Sequence, residues 1–292
     1  MIDCAPGRPT ASLGMYDFGA IAAANDALWR AMAGQLRVRG FAEVPDALDR
    51  RRPLPALWRD PALLVGQTCG FPLVHDLANH VVPVGTPVYA VPGCSGPSYR
   101  SALIARVDDS RRSVSAFSGA PVAVNSFDSQ SGWNALAHAV GGQAGATVLG
   151  PVILTGGHAG SIHAVANGRA DWAAIDAVTW HLIARHTPEA VAGVVRFGWT
   201  AAVPGLPLVT AGGRSTAEVG AIADAIAAAL ASPDTAPARA ALGIAGVERL
   251  GFPAYEAVKA MARATSHLRT AVEKMTNINE VGNDQAIALG RP

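Results

Sequence analysis

In the segment AVNSFDSQSGWNALAHAV, Ser129, Gln130 and Ser131 stand directly before Gly132, between a strand-like run ending near Val124 and a helix-like run. The first turn of a helix leaves backbone N–H groups without partners and carries the positive end of the helix dipole. Hydroxyl and amide donors at that point, beside a glycine that permits close approach, suit the binding of a small anion. Ser129 can equally serve only as the helix N-cap. A second junction of this kind lies in VILTGGHAGSIHAVANGRADWAAID. There Thr155, Gly156 and Gly157 close one strand, His158 precedes another helix start, and Asp176 closes the strand WAAID. His158 can donate to an anionic head group or fill a structural place. Asp176 can face a ligand that carries an amine or hydroxyl, or cap a helix beginning near Val178.

A third set of polar residues follows two earlier strand-like runs. LGMYDF puts Tyr16 and Asp17 after the first, and LLVGQTCGFPLV puts Gln67, Thr68 and Cys69 after the other. Tyr89, in PVYAVPG, can line the same crevice or pack beneath it. Cys69 also precedes the helix-like FPLVHDLAN, and a helix N-terminus can depress a thiol pKa. A nucleophilic cysteine with His158, His75 or His80 as its base is therefore a rival reading. No local signature of a cysteine hydrolase surrounds Cys69, and its neighbours serve as well for hydrogen-bond donation. The cysteines at positions 4, 69 and 94 have no zinc-ligand spacing, so neither a metal nor a cofactor is expected, although Cys69 and Cys94 could pair in an oxidising compartment.

The elements that must position these residues alternate between strand and helix. Strands are predicted over residues 11–15 and 62–66, with a helix over 20–39 in which Leu28, Met32 and Leu36 share one face. A second cycle follows: strands over 101–106, 121–124 and 152–154, and helices over 129–140 and 161–167. The fold class is α/β, each lobe a mixed, mostly parallel sheet flanked by helices. Two Pro/Gly-rich passages, residues 87–101 and 196–210, look like an outgoing and a returning connection. They divide the 292 residues into a discontinuous lobe, 1–98 with 199–292, and an inserted lobe, 99–198. A last helix is implied over 254–275, with a polar tail after it in which little function is expected.

These segments together resemble the phosphate/phosphonate-binding family of ABC-transporter periplasmic components, which adopt the two-lobed type 2 periplasmic-binding-protein fold. The resemblance runs from Ala11 to Tyr255 and is carried most specifically by NSFDSQSGWNAL and TGGHAGSIHAVANGRADWAAID. It implies a protein that clamps a small anionic ligand, a phosphonate, phosphate or related organic acid, and works with an ABC permease without catalysis. The anion-binding role falls on Ser129, Gln130, Ser131 and then His158, with Gln130 standing where another hydroxyl residue is expected.

Composition narrows the choice. Charged residues make up 15% of the chain and the net charge is +1, too little field to draw nucleic acid or an anionic membrane surface. No apolar run reaches 18 residues, and Asp224 interrupts the most hydrophobic helical stretch, so no membrane span is expected. The first residues show neither a basic nor an apolar leader region, so Cys4 is not expected to be a lipidated cysteine. The resemblance points to the periplasm, whereas a cytosolic ligand sensor on the same fold is the alternative that this N-terminus suggests. No segment the size of a helix-turn-helix precedes the first strand, which disfavours a DNA-binding regulator.

Overall fold

The computed structural model describes residues 7–142, 149–270 and 272. The expectations for Cys4 and for the polar tail lie outside the described residues. The first strand of the described residues is β1 (Thr10–Ser12), which gives way at Gly14–Tyr16 to a 3-10 turn, so the strand is shorter than its apolar residues suggest. Next comes α1 (Ala22–Val38), which buries Leu28, Met32 and Leu36 on one face as their spacing requires. The short helix α2 (Leu54–Trp58) follows Pro53, and β2 (Leu63–Gln67) leads to α3 (Gly70–His75) and then β3 (Val81–Tyr89). The ribbon β4 (Cys94–Ser95) and β5 (Ser98–Tyr99) hands the chain to β6 (Ser101–Arg106).

β7 (Val122–Val124) is followed by one π-helical turn, Gln130–Asn134, that runs into α4 (Ala135–Gly141). Then come β8 (Val152–Leu154), α5 (His158–Ala166), β9 (Trp172–Asp176), α6 (Ala177–His186) and β10 (Val194–Trp199). The return path holds β11 (Val203–Pro204), β12 (Leu208–Ala211) and α7 (Thr216–Ala231). Ser215 and Glu218 form a reciprocal capping box at the start of α7. α8 (Ala236–Leu242), β13 (Ile244–Glu248) and a final helix, α9, over residues 256–270 complete the described chain.

Two five-stranded sheets result, ordered β1-β2-β12-β3-β13 and β10-β6-β9-β7-β8, with β11-β5-β4 as a small third sheet. Helices flank mixed sheets, as an α/β reading requires. The parallel pairs are β1 with β2, β7 with β8 and β7 with β9; β12 pairs antiparallel with both its neighbours, and β6 does the same. Parallel pairing thus belongs to the strand-helix-strand units, and strands next to the passage between sheets run against it. Parts of the expected connections are themselves strand: Pro87 lies inside β3 and Arg196 inside β10. At the passage, Ser101 N–H donates to Thr200 Oγ1 at 2.8 Å and Thr200 N–H donates to the Ser101 carbonyl at 3.0 Å, so the outgoing and returning segments run side by side.

The second sheet is buried on both faces, with strict alternation. Leu103, Ala105, Trp172 and Ala174 enter one apolar cluster, while Ala102, Ile104, Ala173 and Ile175 enter the other. The first sheet has its own core with α1 and α7, and Val178 and Leu182 of α6 pack into it. Helix α9 reaches both sides: Val258 and Met261 join the first core, and Leu268 packs against the second sheet. Among the described residues no helix is long and apolar enough to cross a membrane.

Candidate functional site

Both junctions singled out in the sequence open onto one cleft between the two sheets, a cavity of about 310 Å³. At the first, Ser129 caps the π-helical turn: its Oγ accepts from Gly132 N–H at 3.0 Å. Gly132 is required there, because a Cβ at this position would lie 1.7 Å from Asn125 Oδ1. At the second, α5 begins three residues earlier than its apolar pattern suggests, so His158 is the first residue of the helix and not its approach. Its Nε2 lies 2.8 Å from Ser131 Oγ, which joins the two junctions. Gly156, at a φ of 77°, turns the chain between them.

The electrostatics follow from burial. His158 Nδ1 is shut off from solvent without a hydrogen-bond partner, and desolvation pushes the imidazole pKa down to about 4. The ring is therefore neutral at physiological pH, donating through one nitrogen only. Asn125 Oδ1 is also buried without a partner. Asp176 is 1% exposed, and desolvation pushes its carboxyl up to about 6, against the pull of its hydrogen bonds. Its Oδ1 accepts from Thr179 N–H at 2.9 Å, as a helix cap, and its Oδ2 accepts from Tyr16 O–H at 2.8 Å. Asp176 thus caps α6 and also lines the cleft.

Of the residues expected to meet a ligand, Tyr16, Cys69, Ser129, Ser131, His158 and Asp176 line the cleft. Four others do not. Gln130 has its backbone in the anion junction, but its side chain turns away, accepting from Asn134 Nδ2 and donating to Met261 Sδ of α9. The amide has two internal partners and no exposed surface. Gln67 donates to the Leu206 carbonyl at 3.3 Å and lines a small internal cavity beneath Tyr16. Thr68 is fully buried, with its hydroxyl on the Cys69 carbonyl. Tyr89 packs edge-on under Tyr16, with ring centroids 5.5 Å apart.

Cys69 fits the nucleophile reading poorly. Burial pushes its thiol pKa up, and Sγ already accepts from Gln130 N–H at 3.3 Å. Of the three bases offered for it, His158, His75 and His80, the first is hydrogen-bonded to Ser131. Cys69 and Cys94, which could have paired, are separate thiols. Among the described residues no cluster of His, Cys, Asp and Glu is arranged to hold a metal ion.

Several further residues line the cleft beyond the expected ligand contacts. Asn125, Ser126 and Asp128 lie in the segment already marked and were legible as part of it, and Thr179 follows from the helix after Asp176. Met15, Leu54, Pro55, Trp58, Pro72 and Leu206 carry no local signal, because an apolar residue on a cleft wall reads like one in a core.

A family model described as "ABC transporter, phosphonate, periplasmic substrate-binding protein" matches residues 66–251. Among curated proteins, no sequence matches the chain. Among solved structures, PhnD1 from Prochlorococcus marinus in complex with methylphosphonate is 12% identical, with a TM-score of 0.66 over 87% of this chain and 96% of that one. A binding-protein component of a phosphonate ABC transporter from Pseudomonas aeruginosa is 14% identical, with a TM-score of 0.65, covering 96% and 99%. A Xanthomonas citri protein bound to ATP is 15% identical, with a TM-score of 0.65, covering 89% and 97%. At such identities these structures establish the two-lobed periplasmic-binding-protein fold. With a family model that spans most of the sequence, this chain belongs to the phosphonate-type periplasmic substrate-binding proteins of ABC transporters.

Proposed function

We propose that the cleft clamps a small organic acid by an oxyanion head group, a phosphonate, a phosphate or a related acid, for delivery to an ABC permease. The observation that carries this is the Ser131–His158 pair at the head of two helices, with the Ser126 and Ser129 hydroxyls on the same wall. Among the described residues no lysine or arginine lines the cleft, so in this reading the head group is held by hydrogen bonds from the neutral serine wall, beside the carboxyl groups of Asp128 and Asp176. Methylphosphonate and ATP, held by the structural neighbours, present phosphorus-bound oxygens of this kind.

In this reading the lobes are residues 1–98 with 199–292, and residues 99–198, hinged where Ser101 and Thr200 run together. The protein binds without covalent chemistry: the buried thiol of Cys69 is poor as a nucleophile and serves as an acceptor instead. The test is a thermal-shift screen with phosphate, methylphosphonate, sulfonates and small carboxylates, confirmed by calorimetry. A selective rise in melting temperature with one acid class is expected, because a ligand that binds only the folded state stabilises it. No shift with any oxyanion would sink the reading.

A further inference from the structure

We infer that the ligand is amphiphilic, an acid whose head group is attached to a hydrocarbon arm, and that the arm lies against an apolar wall built by α2 and the Gly14–Tyr16 turn. This rests on the proposed binding function and names the kind of acid the same cleft takes.

The cleft divides by polarity along the line that divides the sheets. From the second-sheet side come Asn125, Ser126, Asp128, Ser131, His158 and Thr179, with Ser129, Asp176 and Gly156, so that every contribution is polar or glycine. From the first-sheet side come Met15, Leu54, Pro55, Trp58, Pro72 and Leu206, all apolar. The two exceptions on that side are Tyr16 and Cys69, and both are already engaged across the cleft, with Asp176 and with the N–H of Gln130. Trp58 has one polar atom, and it donates to the Gln67 carbonyl at 2.9 Å. The indole therefore offers only ring surface to the cleft.

The wall is also braced. Leu54 packs so closely over Gly14 that a Cβ there would lie 2.8 Å from Leu54 Cδ2, which fixes α2 against the turn that carries Met15 and Tyr16. Polar recognition of a bare oxyanion does not call for such a surface. The space agrees: about 310 Å³ corresponds to roughly ten waters at ~30 Å³ each, whereas phosphate or methylphosphonate has five heavy atoms. A head group seated on the serine wall leaves the opposite half of the cleft to be filled, and filling it with hydrocarbon releases water from both surfaces.

The test is calorimetric titration of the full chain with methyl-, n-butyl- and phenylphosphonate, beside a matched series of acetate, pentanoate and benzoate. Affinity is expected to rise by up to about fourfold per methylene that enters the wall, so that butyl- and phenylphosphonate bind at least tenfold tighter than methylphosphonate. Leu54→Ser should shrink that advantage more than it weakens methylphosphonate binding, and Leu54→Met should restore it. If methylphosphonate binds and longer arms give equal or weaker affinity, the amphiphilic ligand is excluded while the phosphonate reading stands. If only the carboxylates bind, and bind tighter with length, the apolar wall is supported and the phosphorus head group is excluded. Binding by neither series overturns both. Should Leu54→Ser not fold, the length dependence in the unaltered protein decides alone.

Discussion

Ser131 Oγ and His158 Nε2 are 2.8 Å apart on opposite junctions, so each fixes the other's rotamer and leaves one donor direction toward the cleft. With His158 held near a pKa of about 4, the pair stays neutral across the physiological range and offers that one donor. Ser131→Ala is expected to weaken binding of the acid found in the screen by about 1.5–3 kcal/mol, the usual value of a hydrogen bond to a charged group, and to lower the stability of the free protein by about 1–3 kcal/mol, because the buried His158 Nε2 loses its partner. Unaltered affinity in calorimetry would place the head group elsewhere. Asp176 makes a prediction of opposite character. Its folded-state pKa of about 6 lies above the ordinary 3.8, so the folded state binds the proton more tightly than the unfolded chain. Stability should therefore be greater below pH 6 and decline as pH rises through that value, by at most about 3 kcal/mol. Asp176→Asn keeps an acceptor for the cap and should abolish this decline, visible as loss of the difference in unfolding midpoint between pH 5 and pH 7.5. An equal decline in both proteins would assign it to other groups.

At the level of elements, the working unit is the junction of β7, the π-helical turn and α4, and Gly132 is its tightest point. Gly132→Ala is expected to displace Asn125, lower stability by about 1–3 kcal/mol as overpacking does, and cut binding along with it, as urea unfolding and calorimetry would record. A variant with unchanged midpoint and affinity would show that the turn is looser than its contacts. Much of this unit was legible beforehand. A serine-rich break between an apolar strand and a helical pattern has few physical meanings, and the beginning of β6 at Ser101 and the end of β9 at Asp176 could be read directly. Side-chain direction was not legible. Gln130 sits among cleft residues yet points at α9, because its partners Asn134 and Met261 come from the next turn and from 131 residues away. The apolar wall was equally hidden, since α2 is remote in sequence from the serine junctions it faces.

For the whole molecule, the contacts across the cleft, Tyr16 to Asp176 and Gln130 N–H to Cys69 Sγ, hold the two walls together. A ligand touching both walls adds to these and should shift the population further toward closure. Small-angle scattering is expected to show a smaller radius of gyration with saturating ligand than without it. Tyr16→Phe, which loses one contact between the walls, should enlarge the ligand-dependent change and weaken affinity. A radius that does not respond to proven binding would mean the clamp is closed before the ligand arrives. Helix α9 is seated on both cores, and α6 packs into the first. The strand order carries a consequence for synthesis. β2 and β3 are neighbours only through β12, so the first sheet lacks its central strand until residues 208–211 emerge, whereas every strand of the second sheet has been made by Trp199. The sheet in the middle of the sequence can mature first, and the one that holds β1 must wait, its inner edges unpaired, for the ribosome to deliver the strand that closes it.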